Sequence, residues 1–153
     1  MVHALEEIQR LLKADGCLID IHPVLEEPLV KVYQGSRVLF VESDPNYDYE
    51  EDLQQAEDAL AQVVRRGLFV IEQSKEFELV TYGSSVPELR DYWAKVGAFD
   101  NNPKDDLVEA RVTEHYARVE EIRQAAGPGA EVALHERARI LRLKPIVRND
   151  EAP

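Results

Sequence analysis

With 44% apolar and 31% charged side chains, the 153 residues have the composition of a soluble globular chain and not of a disordered one. Thirty acidic against eighteen basic residues leave a net charge of −12, whose field repels polyanions and argues against nucleic acid as a partner. No apolar run approaches the ~18 residues of a membrane-spanning helix, so no membrane partner is expected either.

Leu5, Ile8 and Leu12 recur at helical spacing and predict a helix over residues 2–13, closed by Gly16. The acidic start, Met1 to Glu7, is not that of a secretory signal, and the lone Cys17 has no disulfide partner. Both point to a cytoplasmic protein. Cys17-Leu18-Ile19-Asp20-Ile21-His22-Pro23 predicts a buried strand. Helix, glycine and strand make half of an α/β repeat, and the strand that would precede the helix is absent. Runs at 29–33 and 37–42 flank Gln34-Gly35-Ser36 and predict a hairpin.

Asp48 as cap and Glu51 as its capping-box partner open a helix striped by Leu53, Ala56, Leu60, Val63 and Val64 and closed by Gly67. Residues 68–73 and 76–82 predict a second hairpin turning at Ser74-Lys75, with Phe77, Leu79 and Thr81 on one face. Ser85-Val86-Pro87-Glu88 starts a helix whose buried stripe is Leu89, Tyr92, Trp93 and Val96 and whose end is Gly97. Asn102-Pro103 opens the longest helix, with Val108, Val112, Tyr116, Val119 and Ile122 on one side and Gly127-Pro128-Gly129 as its stop. Two closing strands follow, near 131–136 and 137–143, and 149–153 form a flexible tail. The whole predicts a single α/β domain over 1–148: a mixed sheet with packed helices and added β-hairpins.

The segment Ala4-Leu5-Glu6-Glu7-Ile8-Gln9-Arg10-Leu11-Leu12-Lys13, followed by Gly16 and the apolar strand at 17–23, resembles class I S-adenosylmethionine-dependent methyltransferases. There a helix ending roughly Arg-Val-Leu-Lys-Pro-Gly-Gly precedes the fifth strand of the sheet; Ala14 and Asp15 depart from that ending. Ser85 to Trp93 resembles the late helix of such enzymes, and Ala138 to Pro145 their last strand. The resemblance implies the C-terminal half of a Rossmann-like methyltransferase: fifth strand, a variable insertion, then the closing sixth and seventh strands. The family holds its cofactor in an acid-x-Gly-x-Gly-x-Gly loop after the first strand, with an acid at the end of the second. These 153 residues contain no such loop, so no cofactor and no cofactor-binding residues are expected.

Candidate chemistry centres on Asp20 and His22, which share one face of the strand at its carboxyl end, where open α/β sheets place ligands. A histidine beside a carboxylate can serve as a general base, and Glu26 and Glu27 are close enough in sequence to join the pocket. The plainer account makes them polar residues facing a helix end or solvent. His3, His22, His115 and His135 are scattered without metal-ligand spacing, so no metal is expected, and His115 reads as resting on the apolar side of its helix beside Tyr116. Cys17 begins a buried strand and reads as inert. Tyr92 and Trp93 read as core rather than cavity lining, and Asp44, Asp48, Glu50, Glu51 and Asp52 as a solvated helix start rather than a cation site. Arg137, Arg139, Arg142, Lys144 and Arg148 read as a solvated strand face balancing the acids.

Three functions follow. One is a non-catalytic, self-associating or partner-binding protein, expected as a homodimer because the fifth strand lacks its usual neighbour. Another is a methyltransferase subunit completed in trans by a complementary methyltransferase half. The third is a small-molecule binding protein with its pocket near His22.

Overall fold

The computed structural model describes residues 1–47, 49–96 and 105–146. In chain order these form α1 (Val2–Leu11), β1 (Leu18–Pro23), β2 (Leu29–Gln34), β3 (Arg37–Ser43), α2 (Glu50–Arg65), β4 (Phe69–Gly83), α3 (Val86–Val96), α4 (Asp106–Ala126) and β5 (Ala130–Pro145). The cap at Asp48, the stop at Gly97, the start at Asn102-Pro103, the side chain of Val96, Arg148 and the tail 149–153 lie outside the described residues. Among those described, no helix is long and apolar enough to cross a membrane.

Residues 18–23 of β1 pair with 143–138 of β5, residues 29–34 of β2 pair with 135–130, and β3 lies along the other edge of β2. Strand β4 also pairs with β5. The ion pairs Glu72–Arg142, Glu76–Arg137 and Glu78–His135 match rising numbers on β4 with falling numbers on β5, which is the antiparallel sense. The fold is therefore α/β with an open antiparallel sheet of five strands, not one of mixed direction. Two expected breaks do not occur. Ser74-Lys75 lies inside β4, where no residue needs the positive φ of a tight turn, and the two closing strands are the single β5. The alternation fails at Ile140-Leu141 because the buried positions change parity: Val132 and Leu134 are buried before it, Leu141 and Leu143 after it.

The chain divides into two compact units: Met1–Glu26, Asp48–Phe77 and Arg137–Pro153 form one, Glu27–Tyr47 and Glu78–Glu136 the other. In the first, Leu5 of α1 packs with Ala59, Leu60 and Val63 of α2, Phe69 of β4, and Leu141 and Leu143 of β5. The end of α2 is a Schellman motif: Leu68 N–H donates to the Val63 carbonyl at 3.0 Å and Gly67 N–H to that of Val64 at 2.9 Å, with Gly67 at φ 70°. Helix α1 ends differently. Leu12 is already extended, and Gly16 does not use positive φ; a Cβ there would stand 3.1 Å from the Lys13 carbonyl oxygen, a tight contact that favours a residue without a side chain. The expected burial of β1 is also corrected. Leu18 packs on the core, whereas Ile19 and Ile21, on the other face, are 48% and 60% exposed.

The second unit is built on Val30 and Val32 of β2, Val86 and Leu89 of α3, Val112, Tyr116 and Val119 of α4, and Val132 and Leu134 of β5. The β2–β3 hairpin turns at Gly35, φ 59°, as its sequence predicts. Ser85 Oγ accepts from Glu88 N–H at 3.3 Å at the start of α3, and Asp105 caps α4 by accepting from Leu107 N–H at 2.8 Å. Trp93 packs edge-on to Tyr116, their ring centres 5.5 Å apart. Tyr92 is half exposed and does not join that stripe, because positions 89 and 93 stack one turn apart and leave 92 to the side.

Glu120 of α4 ties the two helices of this unit together. Its carboxylate accepts from Val86 N–H, at the start of α3, at 2.9 Å and from the Arg123 guanidinium at 2.6 and 3.0 Å. The bond from Arg123, aided by that from Val86, holds its pKa down at about 2 against the opposing effect of burial. A depressed carboxyl pKa favours the folded state above the unfolded value and loses that contribution as pH falls. Urea unfolding should therefore show stability dropping between pH ~4.5 and ~2. Glu120→Gln should cost about 1–3 kcal/mol at pH 7 and flatten that acid limb; an unchanged limb would place the titration elsewhere.

Candidate functional site

Asp20 and His22 come together as their alternation on β1 predicts, and the fold adds Glu57 of α2 and Arg139 of β5. His22 Nδ1 lies 2.5 Å from Asp20 Oδ2, and Nε2 lies 2.9 Å from Glu57 Oε1. Arg139 Nη2 donates to the same Glu57 oxygen and stands 3.2 Å from His22 Nε2. Burial alone would raise the Glu57 pKa, but the hydrogen bonds from Arg139 and His22 outweigh it and hold the carboxyl below the usual range. A general base needs a ring nitrogen free to accept a proton from substrate. Both nitrogens of His22 already face carboxylates, so the cluster ties β1, β5 and α2 together and offers no vacant base.

The other predicted members of this pocket make no contact with His22 or Asp20 among the hydrogen bonds of the described residues. Glu26 is exposed and accepts from Arg137 at 2.8 Å, while Arg137 also donates to Glu76; Glu27 is exposed in the second unit. The basic residues of β5 are engaged rather than simply solvated: Arg139 as above, and Arg142 and Lys144 on Glu72 at 3.1 and 3.7 Å. Asp44 is buried and accepts from Tyr116 O–H at 2.9 Å, so it is not part of a solvated acidic helix start. His115 is buried beside Tyr116 as its helix position predicts, ring centres 5.2 Å apart. Burial holds its pKa below the ordinary value in spite of Glu42 and Asp44, so the ring stays neutral. Cys17 is half-buried just ahead of β1. Among the described residues no group of three or more His, Cys, Asp or Glu side chains could hold a metal ion.

A second cluster was not foreseen. Tyr33 Oη of β2 lies 2.7 Å from His135 Nε2 of β5, and His135 Nδ1 lies 2.6 Å from Glu78 Oε1 of β4. His135 is buried between them. Its hydrogen bond is the main cause of the lowered Glu78 pKa, with Lys31 adding to it. Desolvation, then the neighbouring Tyr82 and Glu78, push the Tyr33 pKa up, so the phenol keeps its proton. His135 thus bridges the Glu78 carboxylate and the Tyr33 phenol, one ring nitrogen on each.

No family model matches the chain, and no curated protein sequence or solved structure is significantly similar to it. The site residues that sequence reading missed left unequal traces. Glu57 sits four residues after Leu53 and three before Leu60, and Arg139 two before Leu141, so both occupy core-facing positions by period. Tyr33, Glu78 and His135 lie on three strands; the register sets Tyr33 opposite Glu131 and His135 opposite Leu29, so their contact depends on the reach of the side chains and not on any spacing in the sequence.

Removing the arginine leaves Asp20 and Glu57 with His22 as their shared partner. Arg139→Ala is expected to cost about 2 kcal/mol in urea unfolding at pH 7, and a loss below a few tenths would show that the pairing carries no stability.

Proposed function

We propose that this chain is a methyltransferase-related protein that acts by association rather than by catalysis, with β1 pairing to β1 of a second copy. One observation carries this reading: β1 ends the strand order, so one of its backbone edges has no strand neighbour among the described residues, and Ile19 and Ile21 stand exposed beside it. Such an edge is a template for another strand, and β1 has no lysine or internal proline to discourage pairing. A second copy is self-complementary here, because a strand paired antiparallel to its own twofold image satisfies both chains at once.

The likeness to a methyltransferase rests on the sequence resemblance of residues 4–23, with which the order of α1 then β1 agrees. The non-catalytic reading rests on His22, both of whose ring nitrogens face carboxylates. The lone cysteine, with no partner for a disulfide, supports a cytoplasmic setting.

Two measurements test the reading. Calorimetry with S-adenosylmethionine should show no binding at micromolar affinity, which would need about −8 kcal/mol of contacts; a saturable micromolar isotherm would overturn the non-catalytic half of the proposal. Light scattering across micromolar concentrations should give twice the 17.4 kDa chain mass, and Ile21→Lys should return it to one chain mass with its far-UV circular dichroism intact. A single-chain mass throughout for the parent would refute self-association. Stoichiometric capture of a complementary methyltransferase half on the same edge would replace it.

A further inference from the structure

Beside the Tyr33–His135–Glu78 chain lies an open depression of about 560 Å³ lined by Tyr33, Gly35, Ser36, Tyr82 and Glu131. All five belong to the second unit, so the site is independent of the β1 edge. The Tyr33 and Tyr82 rings lie 6.3 Å apart at 50°, and Tyr82 is 58% exposed, an unusual outlay of aromatic surface on an open sheet face. Glu131 stands opposite Tyr33 in the β2–β5 register and has no cation partner among the described residues.

We propose that this depression binds a small organic ammonium ion, its positive head held on the faces of Tyr33 and Tyr82 and its charge balanced by Glu131. Electron-rich rings attract cations, and alkylated ammonium groups lose little hydration on reaching them. The hydrogen bond to His135 anchors the phenol of Tyr33, so its ring is oriented before any ligand arrives and less freedom is lost on binding. A neutral aromatic ligand would leave Glu131 unanswered, and an anion would meet the repulsion of Glu131, Glu78 and the chain's net charge of −12. Gly35, at φ 59°, carries no side chain that could fill the rim.

The probe is choline, compared with its uncharged isostere 3,3-dimethylbutanol and with a trimethyl-lysine peptide, by NMR titration following the tyrosine ring protons. Choline should saturate at millimolar concentration and bind about tenfold more tightly than the alcohol, the effect of placing a charge on an aromatic face. Tyr82→Phe should keep that preference, Tyr82→Leu should lose it, and Glu131→Gln should weaken choline severalfold without affecting the alcohol. Tyr82 and Glu131 are exposed, so both variants are expected to fold, and unchanged amide spectra elsewhere verify it. Equal binding of choline and the alcohol, no saturation of the parent by choline, or full retention in Tyr82→Leu overturns the proposal. Tighter binding of the peptide than of choline overturns the assignment to a free amine and gives the site to a side chain of a partner protein.

Discussion

Strand β5 is the member on which the sheet depends. Its sixteen residues pair with β1, β2 and β4, so an unusually long run of backbone donors and acceptors is answered without a turn. Each core also needs it: Val132 and Leu134 in one unit, Leu141 and Leu143 in the other. The same strand carries Arg137, Arg139, Arg142 and Lys144, a concentration of basic groups in a chain with thirty acids. Like charges in one strand would repel if left alone. Here each of those residues meets an acid supplied by a neighbouring strand, a loop or α2, so the charge on β5 is balanced where it stands.

That balance differs in kind from place to place. The pairs of Arg137, Arg142 and Lys144 are half exposed, where screening leaves little net energy, and they act mainly to set register between β4 and β5. Arg139 is more covered, and there the desolvation of its guanidinium makes the partner obligatory. Its Nε finds no hydrogen-bond partner, the one imperfect element of an otherwise closed cluster. Within the second unit, Glu120 does with a single carboxylate what a capping side chain and a salt bridge would otherwise do separately, which is why its pKa falls so far.

Most local signals with a three- or four-residue period survived folding, although Tyr92 leaves the stripe of α3 and α1 ends before Gly16. The stripes of α2 and α4, the serine at the start of α3, the Gly67 stop and the Gly35 hairpin are each decided by atoms a few residues apart, and the sequence shows all of them. The strands were less legible. Ser74-Lys75 resembles a turn only while β5 is unknown, and Ile140-Leu141 resembles a break only while the change in buried parity is unknown. Ile19 and Ile21 read as core because isoleucine in a strand is usually covered; whether a helix lies over them is a property of the whole unit, not of six residues. The candidate site was half visible for the same reason: Asp20 and His22 are two residues apart, whereas Glu57 and Arg139 are 35 and 117 residues from His22.

The three described histidines of the folded core show what separates a structural polar group from a chemically available one. His115 is surrounded by aromatic rings and kept neutral by burial, with Nε2 bonded to nothing described. His22 is saturated, each nitrogen on a carboxylate, and the network closes on itself. His135 is also doubly bonded, but one of its partners is a tyrosine whose ring forms part of a solvent-open wall. A closed network spends its hydrogen bonds on holding strands and helix together. An open one transfers its rigidity outward, to a group that solvent or a ligand can touch. By that criterion the conspicuous Asp20–His22 pair belongs to the framework, and it is the chain from Glu78 through His135 to Tyr33 that orders an accessible surface.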